Sequence, residues 1–210
     1  MASYRSIRRS ALQLLGLFTS FLIAIALIYA DVLVFGSIMG EWSLVQISQA
    51  LMILGSAVFF ALGARDTADQ RGYLLLVATL FLSMFIREND GPLDNIAHGF
   101  WLAPAALIGV VGAGAVYVNR RTLRLPFLQH AQDSSFWIIA VGFFQLIVFS
   151  RLFGSGLLWD HIPSQTNLDA VKSIIQEGIE LVSYLLICFG SYLSYKHLFG
   201  SERASIAEQV

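Results

Sequence analysis

Six apolar runs, most of them long enough to cross a lipid bilayer, leave this chain few ways to fold. Residues 11–30, 44–64, 96–118 and 136–153 are largely apolar, and two further runs, 72–90 and 168–198, join apolar stretches to polar ends. A helix needs about 20 apolar residues to cross a hydrocarbon core about 30 Å thick, and in that core every backbone polar group must find its partner within the protein. Helices meet that demand one segment at a time. The expected fold is therefore all-α: a polytopic membrane bundle of six transmembrane helices forming a single transmembrane domain over residues 1–210. Composition agrees, since 57% hydrophobic and 13% charged residues depart far from the globular norm of about 25% charged.

The same figures exclude several functions. A net charge of -1 supplies no basic face to neutralise phosphates, so no nucleic-acid partner is expected. The one cysteine, Cys188, cannot form an intrachain disulfide or a thiol relay, and no Cys/His zinc spacing occurs. Arg5, Arg8 and Arg9 precede the first run as in a signal peptide, but the apolar stretch exceeds the usual 7–15 residues and Ile28 suits cleavage poorly. A retained first helix is the better reading.

Charge sets the expected orientation. Ten of the 13 basic residues fall in the N-terminus (Arg5, Arg8, Arg9), the second loop (Arg65, Arg71), the fourth loop (Arg120, Arg121, Arg124) and the tail (Lys196, Arg203). The positive-inside rule then puts both termini in the cytoplasm, with the chain integral to a bacterial inner (plasma) membrane. Nine of the 14 acids lie on the other side: Asp31, Glu41, Glu88, Asp90, Asp94, Asp160, Asp169, Glu177 and Glu180. The outer face is anionic.

Residues 82–98 are the most polar part of this apolar chain. The apolar part of the third run spans only about 15 residues, or about 22 Å, so its helix must use polar residues to finish crossing. Gly91 and Pro92 are expected to stop it, and Asp94 or Asn95 to cap the fourth helix. In that helix Pro104 reads as a kink, while Gly109, Gly112 and Gly114 permit close helix contact. Ser134 and Ser135 read as caps of the fifth helix. Asp31 reads as a helix-end group facing water.

Counting along each helix from its cytoplasmic edge places Gln49, Arg87, Arg151 and Glu180 at one depth, about 24 Å up. Gln46, Glu88 and Glu177 fall within about a turn of that layer. Ionisable groups so deep are costly unless paired or hydrated, and mark functional sites by default. The plainer alternative is structural, with Arg87–Glu180 and Arg151–Glu177 or Arg151–Glu88 as ion pairs holding the bundle in register.

Three chemistries compete for the layer. A divalent metal could draw on Glu88, Asp94, His98, Glu177 and Glu180, with His161 as a further donor; Glu177/Glu180 and Asp94/His98 have same-face spacings. Arg87 and Arg151 could instead receive an anionic head group or carboxylate, with Glu88 or Glu180 as proton acceptor. A bound cation is the third. Ser155 in FGSGL lies in a loop, unlike the serine of an intramembrane protease. A haem would need His98 and His161, both at an outer helix end or loop, and too few outward histidines exist for a three-histidine zinc hydrolase.

Glu41, the QxxQ of Gln46 and Gln49, the IREND of residues 86–90 and the QEGIELVSY of residues 176–184 together resemble a group of small six-helix bacterial inner-membrane proteins without assigned activity. The resemblance covers residues 41–195. It implies that Arg87, Glu88, Asp90, Glu177 and Glu180 belong to one site, and implies no chemistry. The expected function is binding or transport of a small molecule or ion at an outward-facing polar site. A membrane-embedded enzyme and an accessory subunit docking on a membrane-protein partner are the alternatives.

Overall fold

The computed structural model describes residues 2–36, 42–159 and 168–196. Glu41, Asp160, His161, Arg203 and the last turn assigned to the sixth run lie outside these residues. Helix α1, Ala2–Tyr29, runs on through a π-helical stretch, Ala30–Val34. There follow α2 (Leu44–Asp66), α3 (Arg71–Glu88), the short α4 (Asp90–Asp94) and α5 (Leu102–Val118). A 3-10 turn leads from α5 into α6 (Arg124–His130). Helix α7, Ser134–Phe144, continues through π-helical Gln145–Ser150 into α8 (Arg151–Gly154); α9 (Gly156–Trp159) and α10 (Leu168–Ser194) complete the bundle.

Among the described residues there is no strand. Four helical segments, Ser10–Val34, Leu44–Asp66, Ser134–Gly154 and Leu168–Ser194, are long and apolar enough to cross a membrane. A fifth is reached when α5 is counted together with the segment Arg120–His130, which bends 87° away from it. Helix α3, with Arg71, Arg87 and Glu88 in its 18 residues, is not among them.

Helices α2 and α10 form the centre. Helix α2 packs on α3 and α10, α7 and α1 pack on α10, and α5 packs on the far side of α3. Ile53, Phe60, Leu74, Phe81 and Ile187 are the buried heart of the bundle, and Ala24, Val45 and Leu181 tie α1 to it. Leu14, Val110 and Trp137 lie on the outside instead. In hydrocarbon such exposure costs nothing, and helices associate through close packing rather than release of water. Glycine supplies that closeness between α7 and α10: a Cβ at Gly142 would stand 2.8 Å from the Ser183 carbonyl, and one at Gly190 would stand 2.6 Å from the Ile139 side chain.

Several local expectations change. Helix α3 ends at Glu88, three residues before Gly91, because Asn89 leaves the helical register and turns its side-chain amide back onto the Phe85 carbonyl at 2.8 Å. Pro92 does not stop a helix; it sits in the first turn of α4, where no amide hydrogen is required. Helix α5 starts at Leu102 rather than 96, because Asp94 Oδ1 accepts from the amide of Gly99, whose φ of 78° turns the chain. Pro104 then falls in the first turn of α5 and kinks nothing. Of the three glycines only Gly112 meets a neighbour, Thr79 on α3, while Gly109 and Gly114 touch nothing. Asp133, not Ser134 or Ser135, caps α7 by accepting from the Ser135 amide at 2.8 Å.

Asp31 differs most. It is 1% exposed, and its carboxylate accepts from the amides of Leu44 and Val45 at 3.3 and 3.1 Å, the first free amides of α2. Ser43 takes the next, from Gln46, at 3.1 Å. A negative charge at a helix N-terminus satisfies orphan donors and the helix dipole together. Asp31→Ala should lower the stability of detergent-solubilised protein by roughly 1–2 kcal/mol, with Asp31→Asn costing less. Equal thermal unfolding of wild type and Asp31→Ala would show that the cap contributes nothing.

Candidate functional site

Helices α3 and α7 lean on the central pair and leave a cleft between them. Its upper part has a volume of about 330 Å³ and is lined from α3 by Leu80, Met84, Arg87 and Glu88. The opposite wall carries Phe143, Leu146, Ile147, Ser150 and Arg151, and α10 contributes Glu180 and Tyr184. Each set recurs at three- and four-residue intervals, so each comes from one face of its helix. Ser150 closes the π-helical stretch and Arg151 opens α8. Such π stretches recur at functional sites.

Of the seven residues of the expected layer, Arg87, Glu88, Arg151 and Glu180 line this cleft, while Gln46, Gln49 and Glu177 lie behind it and are joined by hydrogen bonds, and none forms the expected ion pairs. Glu88 is 4% exposed and held at both ends. Its carboxylate accepts from the Tyr184 hydroxyl at 2.5 Å, and its carbonyl accepts from Gln46 Nε2 at 3.3 Å. The second bond follows from Pro92, which lacks the amide hydrogen that a continuing helix would give to the Glu88 carbonyl. Glu180 accepts from the Ser150 hydroxyl and from Gln176 Nε2. Glu177, between α2 and α10, accepts from Gln49 Nε2 on its carboxylate at 3.2 Å and on its carbonyl at 3.0 Å. Gln49 Oε1 is the only buried side-chain nitrogen or oxygen among the described residues without a hydrogen-bond partner.

The arginines are placed differently. Arg87 and Arg151 are both exposed, one on each wall of the cleft. Among the described residues neither takes part in a hydrogen bond or ion pair, so the expected pairing of Arg87 with Glu180, and of Arg151 with Glu177 or Glu88, is absent. The reason is visible in the partners each carboxylate already has: a phenol, a serine and glutamine amides reach them first. Adjacent residues on a helix point about 100° apart, which sends Glu88 inward and Arg87 to the mouth.

The metal set is not assembled. His98 is fully exposed and pairs at 3.6 Å with Asp94, well outside the cleft lining. Among the described residues no group of three or more His, Cys, Asp or Glu side chains is arranged to hold a metal ion.

Next to the upper part of the cleft, along the same two helices, lies a second compartment of about 420 Å³ with an almost wholly apolar lining. Leu80 and Phe143 belong to both. At its base His130, 2% exposed, joins three helices: Nδ1 lies 2.7 Å from the Tyr73 hydroxyl and Nε2 lies 2.8 Å from Ser194 Oγ. Ser135 and Ser194 bond to each other at 2.9 Å. The network is satisfied with the ring proton on Nε2: the Tyr73 hydroxyl donates to Nδ1, Nε2–H donates to Ser194, and the serine hydroxyls pass their hydrogens on to Ser135, the Gly190 carbonyl and Asp133. Sequence reading missed Tyr184, Ser150 and Gln176 as well as this knot. Gln176 and Tyr184 lie four residues on either side of Glu180, the spacing that shares a helix face, so that signal was present.

The architecture defines an all-α membrane-type helical bundle with a two-part cleft. No protein-family model, curated protein or solved structure matches the chain.

The hydrogen-bond pattern predicts where energy is coupled. In a double-mutant cycle on thermal stability, Tyr184→Phe with Glu88→Leu should show a coupling of about 1–2 kcal/mol. Arg87→Met with Glu180→Gln should be additive to within about 0.5 kcal/mol. A larger coupling for the arginine pair than for the tyrosine pair would reverse this assignment.

Proposed function

We propose that the protein is a six-span inner-membrane protein with both ends in the cytoplasm, and that the upper cleft binds or transports a small anionic molecule from the outer side. The observation carrying this reading is the division of labour in the cleft. Every carboxylate beneath the mouth already has a donor, whereas the two guanidiniums on facing walls have no acceptor among the described residues. Free cations at this depth are costly. An anion between them would gain charge-assisted and bidentate hydrogen bonds while offsetting that cost.

A bound cation is less well supported, because each of the three acids already accepts from a neutral donor. A membrane-embedded enzyme lacks an assembled metal-ligand set among the described residues. Docking on a larger membrane complex has one supporting feature, the open face of α5 at Gly109 and Gly114.

Two measurements on the full chain test the reading. Calorimetric titration with benzoate, a compact carboxylate, should show saturable binding that weakens about tenfold in Arg87→Gln and further in the Arg87→Gln, Arg151→Gln double variant. Equal benzoate affinity in wild type and double variant would sink it. For orientation, single cysteines in a Cys188→Ala background should react with an impermeant thiol reagent in intact cells at Ala97, and be shielded at Asp69 and Arg121. Reaction at Asp69 from outside would overturn the topology.

A further inference from the structure

From the two compartments adjoining at Leu80 and Phe143 we infer that the ligand is a single-chain anionic amphiphile, with its charged head between Arg87 and Arg151 and its chain in the apolar compartment below. The inference rests on the anion-binding reading above and adds the ligand class. One face of α3 lines the cleft from Tyr73 through Val77, Leu80 and Met84 to Glu88. One face of α7 and its extension does the same from Phe136 to Arg151. Fifteen helical rises on each wall span about 22 Å, the reach of an extended acyl chain.

Polarity changes once along that length. Ionisable and hydroxyl groups surround the upper end, while below Leu80 and Phe143 the walls are aromatic and aliphatic down to the Tyr73–His130 knot. A ligand matching this gradient has one charged end and one long apolar end. Volume sets its bulk. A cavity of about 150 Å³ holds one benzene, so the lower compartment of about 420 Å³ has room for roughly one acyl chain and not for two. Charge sets its sign, because the cationic donors at the mouth are uncommitted and the carboxylates are not. The fully hydrogen-bonded knot leaves the floor nothing to offer a second polar end.

The test compares radiolabelled palmitate with benzoate on the full chain in neutral maltoside detergent. Palmitate should bind about 100-fold more tightly than benzoate, and the Arg87→Gln, Arg151→Gln double variant should weaken both by about tenfold or more. Ala140→Trp and, separately, Val77→Trp should fill the lower compartment and weaken palmitate about tenfold while leaving benzoate unchanged. Unchanged benzoate binding also shows that the variants are folded. Palmitate binding no tighter than benzoate, or insensitive to both tryptophans with benzoate intact, overturns the amphiphile while leaving the anion site standing. Indifference of both ligands to the arginines overturns the underlying reading as well. Equal displacement of palmitate by uncharged dodecanol would show a generic lipid groove and overturn the requirement for an anionic head.

Discussion

Proline at position 92 withholds the amide hydrogen that the Glu88 carbonyl would receive in a continuous helix, and the upper half of the bundle is arranged around that loss. In hydrocarbon an unsatisfied carbonyl costs several kcal/mol, so another donor must reach it. Gln46 does so from α2, 3.3 Å away. That bond fixes the end of α3 against α2, and the Tyr184 hydroxyl fixes the neighbouring carboxylate against α10. Three helices therefore meet at one residue. With Glu88 committed inward, Arg87 has only the mouth of the cleft available to it.

The coarse architecture was legible because membrane helices write their length and periodicity directly into the sequence. That Arg87, Glu88, Arg151 and Glu180 share one cleft was also legible in part, since counting helical rise from the ends of the apolar runs put them near one another along the helices. What depth cannot give is azimuth. Arg87 and Glu180 line the same cleft, yet Ser150 and Gln176 occupy Glu180 because they face it. Asp31 was misread for a related reason: its partners, the first amides of α2, lie across a loop whose path the sequence does not state. His130 sat in a basic segment that reads as solvated, and only the approach of Tyr73 and Ser194 from two other helices makes it part of the interior.

Pairing in the sense of acid with base is one way to make polar groups tolerable in a membrane; this bundle uses neutral donors for its acids. A buried Arg–Glu pair has to recover a large desolvation cost through geometry alone. A carboxylate held by a phenol, a hydroxyl or an amide keeps its partner whether or not it carries a proton. The arrangement also leaves the cations free. Neither guanidinium is tied to an acid by a hydrogen bond among the described residues, and a positive charge at a cleft mouth with donors to spare suits recognition of an external anion.

The cleft itself follows from where the chain places small and large side chains. Gly142 and Gly190 let α7 settle closely on α10, and Gly112 lets α5 settle on Thr79 of α3. No glycine lines the cleft where α3 faces α7; that boundary is built largely from Tyr73, Phe81, Phe136 and Phe143. Close packing on two sides and bulky rings on the third hold α3 and α7 apart along their length. Two helices pulled toward a common centre but kept from each other leave a groove that runs along both of them, with charge at one end only. The shape and the polarity of the cleft therefore have separate causes in the sequence, the first in the glycine and phenylalanine positions, the second in the polar end of the third helix.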